Sequence, residues 1–442
     1  MYNVLEKTLI RGVKMTVSFS TLGCKVNQYE SEALAEIFEA KGFTVLPSGE
    51  AADIIIVNSC TVTAESNRKV RQTVRKLRRK APEALIVLTG CMAQAFPEEC
   101  KEIKEANLII GNSHYDKLPD ICINTLNQKT DCICVVPHEK GYTDIGVSKL
   151  TEHTRGYIKI EDGCNRFCSI CIIPYARGRV RSRSLESIKK EAEALATAGY
   201  KEAVLVGINL SAFGLDTGNE LCDAVEVVSS VDGIKRVRLG SLECDQISDN
   251  ALEKLAANEK FCPQFHLSLQ SGCDRTLKEM NRKYDTAFYK DLVARIRAKF
   301  QNPTITTDIM VGFMGESDED FKKSCDFIKE IGFARSHVFV YSVREGTAAA
   351  KRTDKVSPEI QQQRAKVMQK ICENTEKEFL QSQIGTLAKV LLENVTDGVW
   401  EGYSENYTRI KIPNLTAAEG DIITVRITAA ENDYCIGEIE VN

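Results

Sequence analysis

From Met15 to about Ile110 short β-branched runs alternate with stretches of helical period, and that alternation leaves few architectures open. MTVSFSTLGC, ADIIIVNSC and ALIVLTGC each read as a strand ending in a small polar turn, and NLIIGN closes the set. Between them Tyr29–Ala40 and Ser66–Lys80 carry helical periodicity, the second with Val70, Val74 and Leu77 on one face. Strand–helix alternation predicts an α/β domain with a doubly wound parallel sheet, in which ligands bind beyond the carboxyl ends of the strands.

Seventeen cysteines are the outlying count, and the number is odd. In a reducing cytosol this favours metal binding or catalysis over disulfides. Cys24, Cys60 and Cys91 each follow an apolar strand within a few residues. A single such thiol reads as a small buried hydrophobe. Three at the same topological place point to a metal or cluster site, and three thiolates suit an iron–sulfur cluster with one iron left open. Cys132 and Cys134 fall in an irregular connection over 131–154 and read as bystanders.

A second set follows in RGYIKIEDGCNRFCSICIIPYARGRVRSR, where Cys164, Cys168 and Cys171 make C-x3-C-x2-C directly after a strand. Structural zinc would want a fourth nearby ligand, and no histidine is close in sequence. Three thiolates on a 4Fe-4S cluster instead leave one iron to chelate an amine and a carboxylate. Six candidate strands run in order, RGYIKI, EAVLVG, KRVRLGS, FHLSLQ, TITTDIMVG and HVFVYS, which suggests a partial (β/α)6 barrel over about 152–380. Barrel chemistry sits at carboxyl strand ends. Gly207, Asn209, Ser241, Glu243, Gln270, Ser271, Gly272, Asp308, Gly312, Glu316, Tyr341, Ser342 and Arg344 are the polar or small residues there.

After a long helix over 357–383 the pattern turns to short strands, LAKVLLENV, EGYSENYTRIKI, GDIITVRITA and YCIGEIEV, as in a small β-barrel. From Gly385 onward four basic residues face ten acidic ones, so this module is a poor phosphate binder. The whole chain of 442 residues carries a net charge of −4, and any hold on nucleic acid needs a local basic patch. Two exist: Ser66–Lys80, with Arg68, Lys69, Arg71, Arg75, Lys76, Arg78, Arg79 and Lys80 and no acid, and the run Arg177, Arg179, Arg181 and Arg183. Neither a membrane span nor a secretory signal is evident, Met15 reads as an alternative start, and a cytoplasmic protein is expected.

Taken together the chain resembles the radical S-adenosylmethionine (SAM) superfamily, and specifically its methylthiotransferases. TLGCKVNQYESEAL, VNSCTVTAESNRKVRQ and CIIPYARGRVRSR resemble the branch that acts on N6-threonylcarbamoyladenosine beside the tRNA anticodon. The resemblance implies three domains: 15–130 N-terminal, 152–380 radical SAM, and 383–442 an OB-like TRAM barrel. It implies two 4Fe-4S clusters, on Cys24/Cys60/Cys91 and on Cys164/Cys168/Cys171, with SAM as methyl donor and as source of a 5′-deoxyadenosyl radical that activates adenine C2. Ile170, Gly207, Asn209, Ser241, Glu243, Gln270, Arg282, Asp308 and Tyr341 would bind SAM. Ile170 departs from the pattern, since the family usually carries an aromatic residue there. Asn27, Arg71, Arg75, Arg78, Arg79, Arg177, Arg179, Arg181, Arg183, Tyr403 and Tyr407 would meet the tRNA anticodon stem-loop, with Asn406 and Arg409 as further candidates on the barrel. A flavodoxin or ferredoxin would donate electrons to a monomer. The alternatives are a methylthiotransferase of isopentenyladenosine or of a ribosomal-protein aspartate, and a non-catalytic RNA-binding protein with structural clusters.

Overall fold

A computed structural model describes residues 14–128, 132–147 and 154–440. The leading residues before the alternative start, and part of the expected connection over 131–154, lie outside the described residues. The chain divides into two compact units: Met1–Thr151 with Glu161–Arg183 and Ser342–Thr347, and Glu152–Ile160 with Ser184–Tyr341 and Ala348–Asn442.

In the first unit β1 (Thr16–Leu22), β2 (Thr44–Leu46), β3 (Ile54–Ser59), β4 (Leu85–Gly90), β5 (Leu108–Ile110) and β6 (Cys132–Cys134) form one sheet in the order β2-β1-β3-β4-β5-β6. Every pairing is parallel. Each residue of β3 and β4 is buried, as expected of strands covered on both faces. Leu34 and Phe38 of the Lys25–Ala40 helix pack with Ile54, Ile56 and Val87 on one face. Val70, Val74 and Leu77 of the Ala64–Lys80 helix pack with Ile55, Val57 and Ile86 on the other. That is the doubly wound arrangement expected. Both helices begin earlier than their periodicity indicates. The second starts after Thr63, whose Oγ1 accepts the Ser66 N–H at 3.1 Å as an N-cap. Two strands lie outside the sequence-based expectation. β2 and β6 have three residues each, too few for a period to register, and β6 turns Cys132 and Cys134 from loop residues into a sheet edge.

In the second unit the six expected parallel strands are Gly156–Lys159, Glu202–Val206, Arg236–Leu239 (continued at Ser241–Leu242), Gln264–Leu267, Thr304–Val311 and Arg335–Val340. Helices between them share one apolar core. The Pro358–Ser382 helix leads to a closed barrel of Leu387–Thr396, Val399–Ser404, Arg409–Pro413, Cys435–Ile439 and Ile422–Ala430.

A buried ion cluster joins this terminal barrel to the rest of its unit. Glu202 is fully buried between Arg236 (Nη2 at 2.6 Å) and Arg238 (Nε at 2.8 Å). Arg238 also donates to the carbonyls of Ser404 and Glu405, and Arg236 to those of Lys389, Tyr403 and Ser404. Burial alone would raise the Glu202 carboxyl, but Arg238 and Arg236 outweigh it and hold the group at about 2. Its contribution is complete above the ordinary carboxylate range and is lost only as pH falls toward 2. Glu202→Gln leaves two buried guanidiniums without their counter-charge and should destabilise this junction by about 3–5 kcal/mol. Trp400 is the sole tryptophan and lies in the barrel, so its emission during urea unfolding reads the loss. An unchanged midpoint would show that the cluster adds nothing.

Candidate functional site

The first unit carries both thiol sets. β1 has β2 on one side and β3 on the other, so the sheet changes winding direction between β1 and β3. Such a switch point opens a crevice beyond the carboxyl ends. Cys24 follows β1, Cys60 follows β3, and Cys91 follows β4 as the first residue of a short helix. Cys24 is exposed, Cys60 half-buried and Cys91 buried.

Local chemistry fixes these turns. Asn27, expected to face RNA, is instead fully buried, and this corrects that reading. Its Oδ1 accepts from the Cys24 N–H at 3.3 Å, and its Nδ2 donates to Asn58 Oδ1 at 3.0 Å. Asn58 in turn donates to the Asn27 carbonyl and to Ser31 Oγ. Two buried amides thus lock the β1 turn to the end of β3. Gly90 sits at φ +90°, where an added Cβ would meet Asn58 Oδ1 and the Ser59 backbone at 2.5–2.6 Å. Only glycine lets the turn that carries Cys91 run this close to the end of β3.

The second set lies on the loop between Glu161–Asp162 and Arg181–Ser182, two short strands paired antiparallel. The Cys171 N–H donates to the Cys168 carbonyl at 3.0 Å, and the Cys164 N–H to the Gly178 carbonyl at 3.0 Å. Gly163 has φ +90°, and a Cβ there would lie 2.0 Å from the Arg179 carbonyl. The sequence assigns this loop to the central domain, yet it packs with the N-terminal sheet. Asn112 donates to the Ala176 carbonyl at 3.0 Å, and His138 Nε2 lies 3.1 Å from the same oxygen. His138 is close only in the fold. With Nδ1 at 3.2 Å from Ser113 Oγ, both its nitrogens are engaged, so it is no ligand.

Three of the four arginines after the second set are not available to phosphate, contrary to expectation. Arg177 is fully buried: its Nε donates to Cys91 Sγ at 3.1 Å and its Nη2 to Glu30 Oε2 at 3.0 Å. Arg181 is buried against the Arg177 and Arg179 carbonyls and Asp162, and Arg183 is buried against Asp144. Arg179 alone is exposed, its guanidinium 4.6 Å from the centre of the Phe167 ring. The Ala64–Lys80 helix divides similarly. Arg75 and Arg79 are exposed, Arg71 is half-buried against Glu99, and Arg78 is occupied by the Pro82, Ala84 and Glu105 carbonyls and Asn107. A charge run reports composition; it cannot say which cations the fold has already engaged.

The same correction applies to the terminal barrel. Tyr403 and Tyr407 stack on each other at 4.6 Å, with Arg155 over both rings and Arg238 over Tyr407. Asn406 is buried against Asn302 and Gln383, and Arg409 is paired with Glu401 and Asp433. Both rings are half-buried and engaged in this internal stack.

Within the second unit, the strand-end residues form connected groups. Arg282 reaches Glu243 at 2.8 Å and the Ser268 carbonyl at 3.1 Å. Asp308 lies 3.4 Å from His266. Gln270 has φ +70° and donates its N–H to the Asp308 carbonyl at 2.9 Å. The Tyr341 hydroxyl is buried and has no hydrogen-bond partner among the described residues, as a group awaiting a ligand would be. Sequence reasoning missed Glu30, Asn58 and Asp162. Glu30 shares the buried helix face of Asn27 and Leu34, and a carboxylate on an apolar face was the available signal.

Among the described residues no three His, Cys, Asp or Glu side chains close on a point as a single ion would require. Each set nonetheless offers three soft thiol donors, the chemistry of an iron–sulfur cluster. In the first set the three thiols sense one another: Cys60 and Cys24 both oppose ionisation of Cys91. Burial pushes the Cys91 thiol up to about 12, against the pull of Arg177, and burial also raises Cys60. In the metal-free, reduced chain at pH 8, Cys91 should be roughly one part in ten thousand thiolate. Iodoacetamide mapping by mass spectrometry should then find exposed Cys24 alkylated early and Cys91 last of the three. Early modification of Cys91 would refute its burial.

Residues 16–111 match the family described as uncharacterized protein family UPF0004, and residues 158–328 match the radical SAM superfamily. A Thermotoga maritima protein named threonylcarbamoyladenosine tRNA methylthiotransferase MtaB is 37% identical over 418 residues, covering 94% of this chain and 95% of its own. A Pelotomaculum thermopropionicum protein named tRNA-2-methylthio-N(6)-dimethylallyladenosine synthase is 33% identical, covering 95% and 96%. Among solved structures, the radical SAM methyltransferase TsrM of Kitasatospora setae shares the fold with a TM-score of 0.56 at 14% identity, covering 76% of this chain and 74% of that one.

Proposed function

Because this chain belongs to the radical SAM methylthiotransferase family, in the branch named for threonylcarbamoyladenosine, we propose that it installs a methylthio group on C2 of N6-threonylcarbamoyladenosine at tRNA position 37. The observation that carries the reading is the pair of three-thiol sets within one compact unit, one at the switch point of a parallel sheet and one on the loop after Asp162. Cys24, Cys60 and Cys91 would hold one 4Fe-4S cluster, and Cys164, Cys168 and Cys171 the other. When bound, such clusters supply one-electron reduction of SAM at one open iron and an attachment point for sulfur at the other.

The chain's own residues do the positioning. Asn27 and Asn58 hold the Cys24 turn, and Gly90 lets the Cys91 turn approach it. At the ends of the second unit's parallel strands, Arg282 fixes the Glu243 carboxylate, while the unpartnered Tyr341 hydroxyl and the strained Gln270 turn are the groups we assign to SAM. Ile170 is half-buried and supplies apolar surface where the family has an aromatic ring. Of the arginines expected to meet tRNA, those left exposed are Arg75, which also pairs with Glu105 at 3.4 Å, Arg79 and Arg179. A flavodoxin or ferredoxin is the class of electron donor this chemistry needs, and a tRNA substrate places the work in the cytoplasm. Among the described residues no helix is long and apolar enough to cross a membrane.

Nucleoside mass spectrometry of tRNA from a deletion strain tests the reading directly. The methylthio form of threonylcarbamoyladenosine should vanish and its unmodified parent accumulate. Loss of the isopentenyladenosine product instead, or of a modified ribosomal-protein aspartate, would move the chain to another branch. Arg75→Ala/Arg79→Ala should weaken tRNA binding and reduce the slope of log K against log salt by roughly 0.7–0.9 for each phosphate released. A slope unchanged in that double variant would put the electrostatic footprint elsewhere.

A further inference from the structure

We propose that Arg177 is a positioning residue that ties the second cysteine loop to the auxiliary thiol site and raises the reduction potential of the cluster held there. This rests on the assignment of a cluster to Cys24, Cys60 and Cys91. Arg177 is among the largest fully buried side chains of the protein. Its Nε donates to Cys91 Sγ at 3.1 Å, both terminal nitrogens reach the Glu30 carboxylate, and Nη1 lies 3.6 Å from Asp162 Oδ2. Asp162 stands two residues before Cys164, and the carbonyl of Gly178, next in the chain to Arg177, accepts from the Cys164 N–H. One guanidinium therefore touches a ligand of the first set and also reaches Asp162, two residues before a ligand of the second.

The chemistry goes beyond filling space. Burying a guanidinium carries a desolvation penalty, and an apolar side chain of similar volume would pack the same hole without it. What arginine adds is a fixed positive charge and an N–H aimed at sulfur. Hydrogen bonds to cluster sulfurs and local net charge are the levers by which a protein sets an iron–sulfur potential. The guanidinium charge is balanced by Glu30 and Asp162, so the N–H aimed at Cys91 Sγ is the lever that acts here, favouring the reduced, more negative state. Glu30 takes the guanidinium in a two-pronged grip, which fixes the plane of the fork and so the direction of the Nε–H. Lysine could supply the charge but not that geometry.

The test uses the full chain with Cys164, Cys168 and Cys171 changed to alanine, reconstituted with iron and sulfide so that one cluster remains. Iron content and the midpoint potential from an EPR-monitored redox titration are the readouts, taken with and without Arg177→Met/Glu30→Gln. That pair removes donor and counter-charge together, so that neither ion is left without the other. A second variant, Arg177→Lys, keeps the charge and loses the fork. In the paired variant we expect about four irons retained and a lower potential. A tenfold change in the reduction equilibrium would appear as about 59 mV for one electron. Arg177→Lys should fall between it and the parent. Retained iron with an unshifted potential overturns the proposal, and so does loss of iron in the paired variant, which would make Arg177 purely structural. An iron-free parent overturns the cluster assignment itself, and this inference with it.

Discussion

A parallel sheet delivers the carboxyl ends of its strands to one edge, and the first thiol set is built on that delivery. β1, β3 and β4 end side by side, and a thiol stands in each of the three turns beyond them. Apolar surface holds the strands in this arrangement, with β3 and β4 buried at every position. The turns are then set by small groups that leave no slack: Gly90 in a conformation that other residues rarely adopt, and the Asn27–Asn58 amide pair. Thiols on separate turns need this rigidity, because a ligand set drawn from three distant turns has no local means of holding its shape.

Two buried ion clusters do for the units what the amides do for the turns. In one, Arg177 meets Glu30 and Asp162; in the other, Glu202 lies between Arg236 and Arg238. Neither is a strong argument for stability, since the desolvation of such charges roughly offsets their attraction. Their value is directional. A guanidinium fork fits carboxylates and carbonyls in few arrangements, so each cluster fixes which segments meet: the second cysteine loop against the N-terminal sheet, and the terminal barrel against the strands of its own unit.

Arginine is accordingly the residue on which sequence and structure part most sharply. Arg78, Arg177, Arg181 and Arg183 look, in a string of letters, like a nucleic-acid face. Each is occupied by backbone carbonyls or carboxylates. Tyr403 and Tyr407 repeat the lesson for aromatics, being held by each other and by Arg155. Of the arginines expected to meet tRNA, only Arg75, Arg79 and Arg179 are left exposed, a smaller and more selective set than the charge runs imply.

By itself the sequence determined the order and kind of the main elements, because an apolar period is a local property, written every two residues in a strand and about every three and a half in a helix. It marked six thiols as two candidate sets of three, the first because Cys24, Cys60 and Cys91 each follow a strand and the second because of the C-x3-C-x2-C spacing. It could not place β2 or β6, too short to carry a period, nor the membership of the loop after Glu161, which depends on what that loop packs against. It could not tell a phosphate-facing arginine from one bonded to a thiol and a carboxylate. That distinction lies in the long-range pairing of Arg177 with Glu30 and Cys91, residues distant along the chain, and only the folded arrangement of the sheet brings them within reach of one side chain.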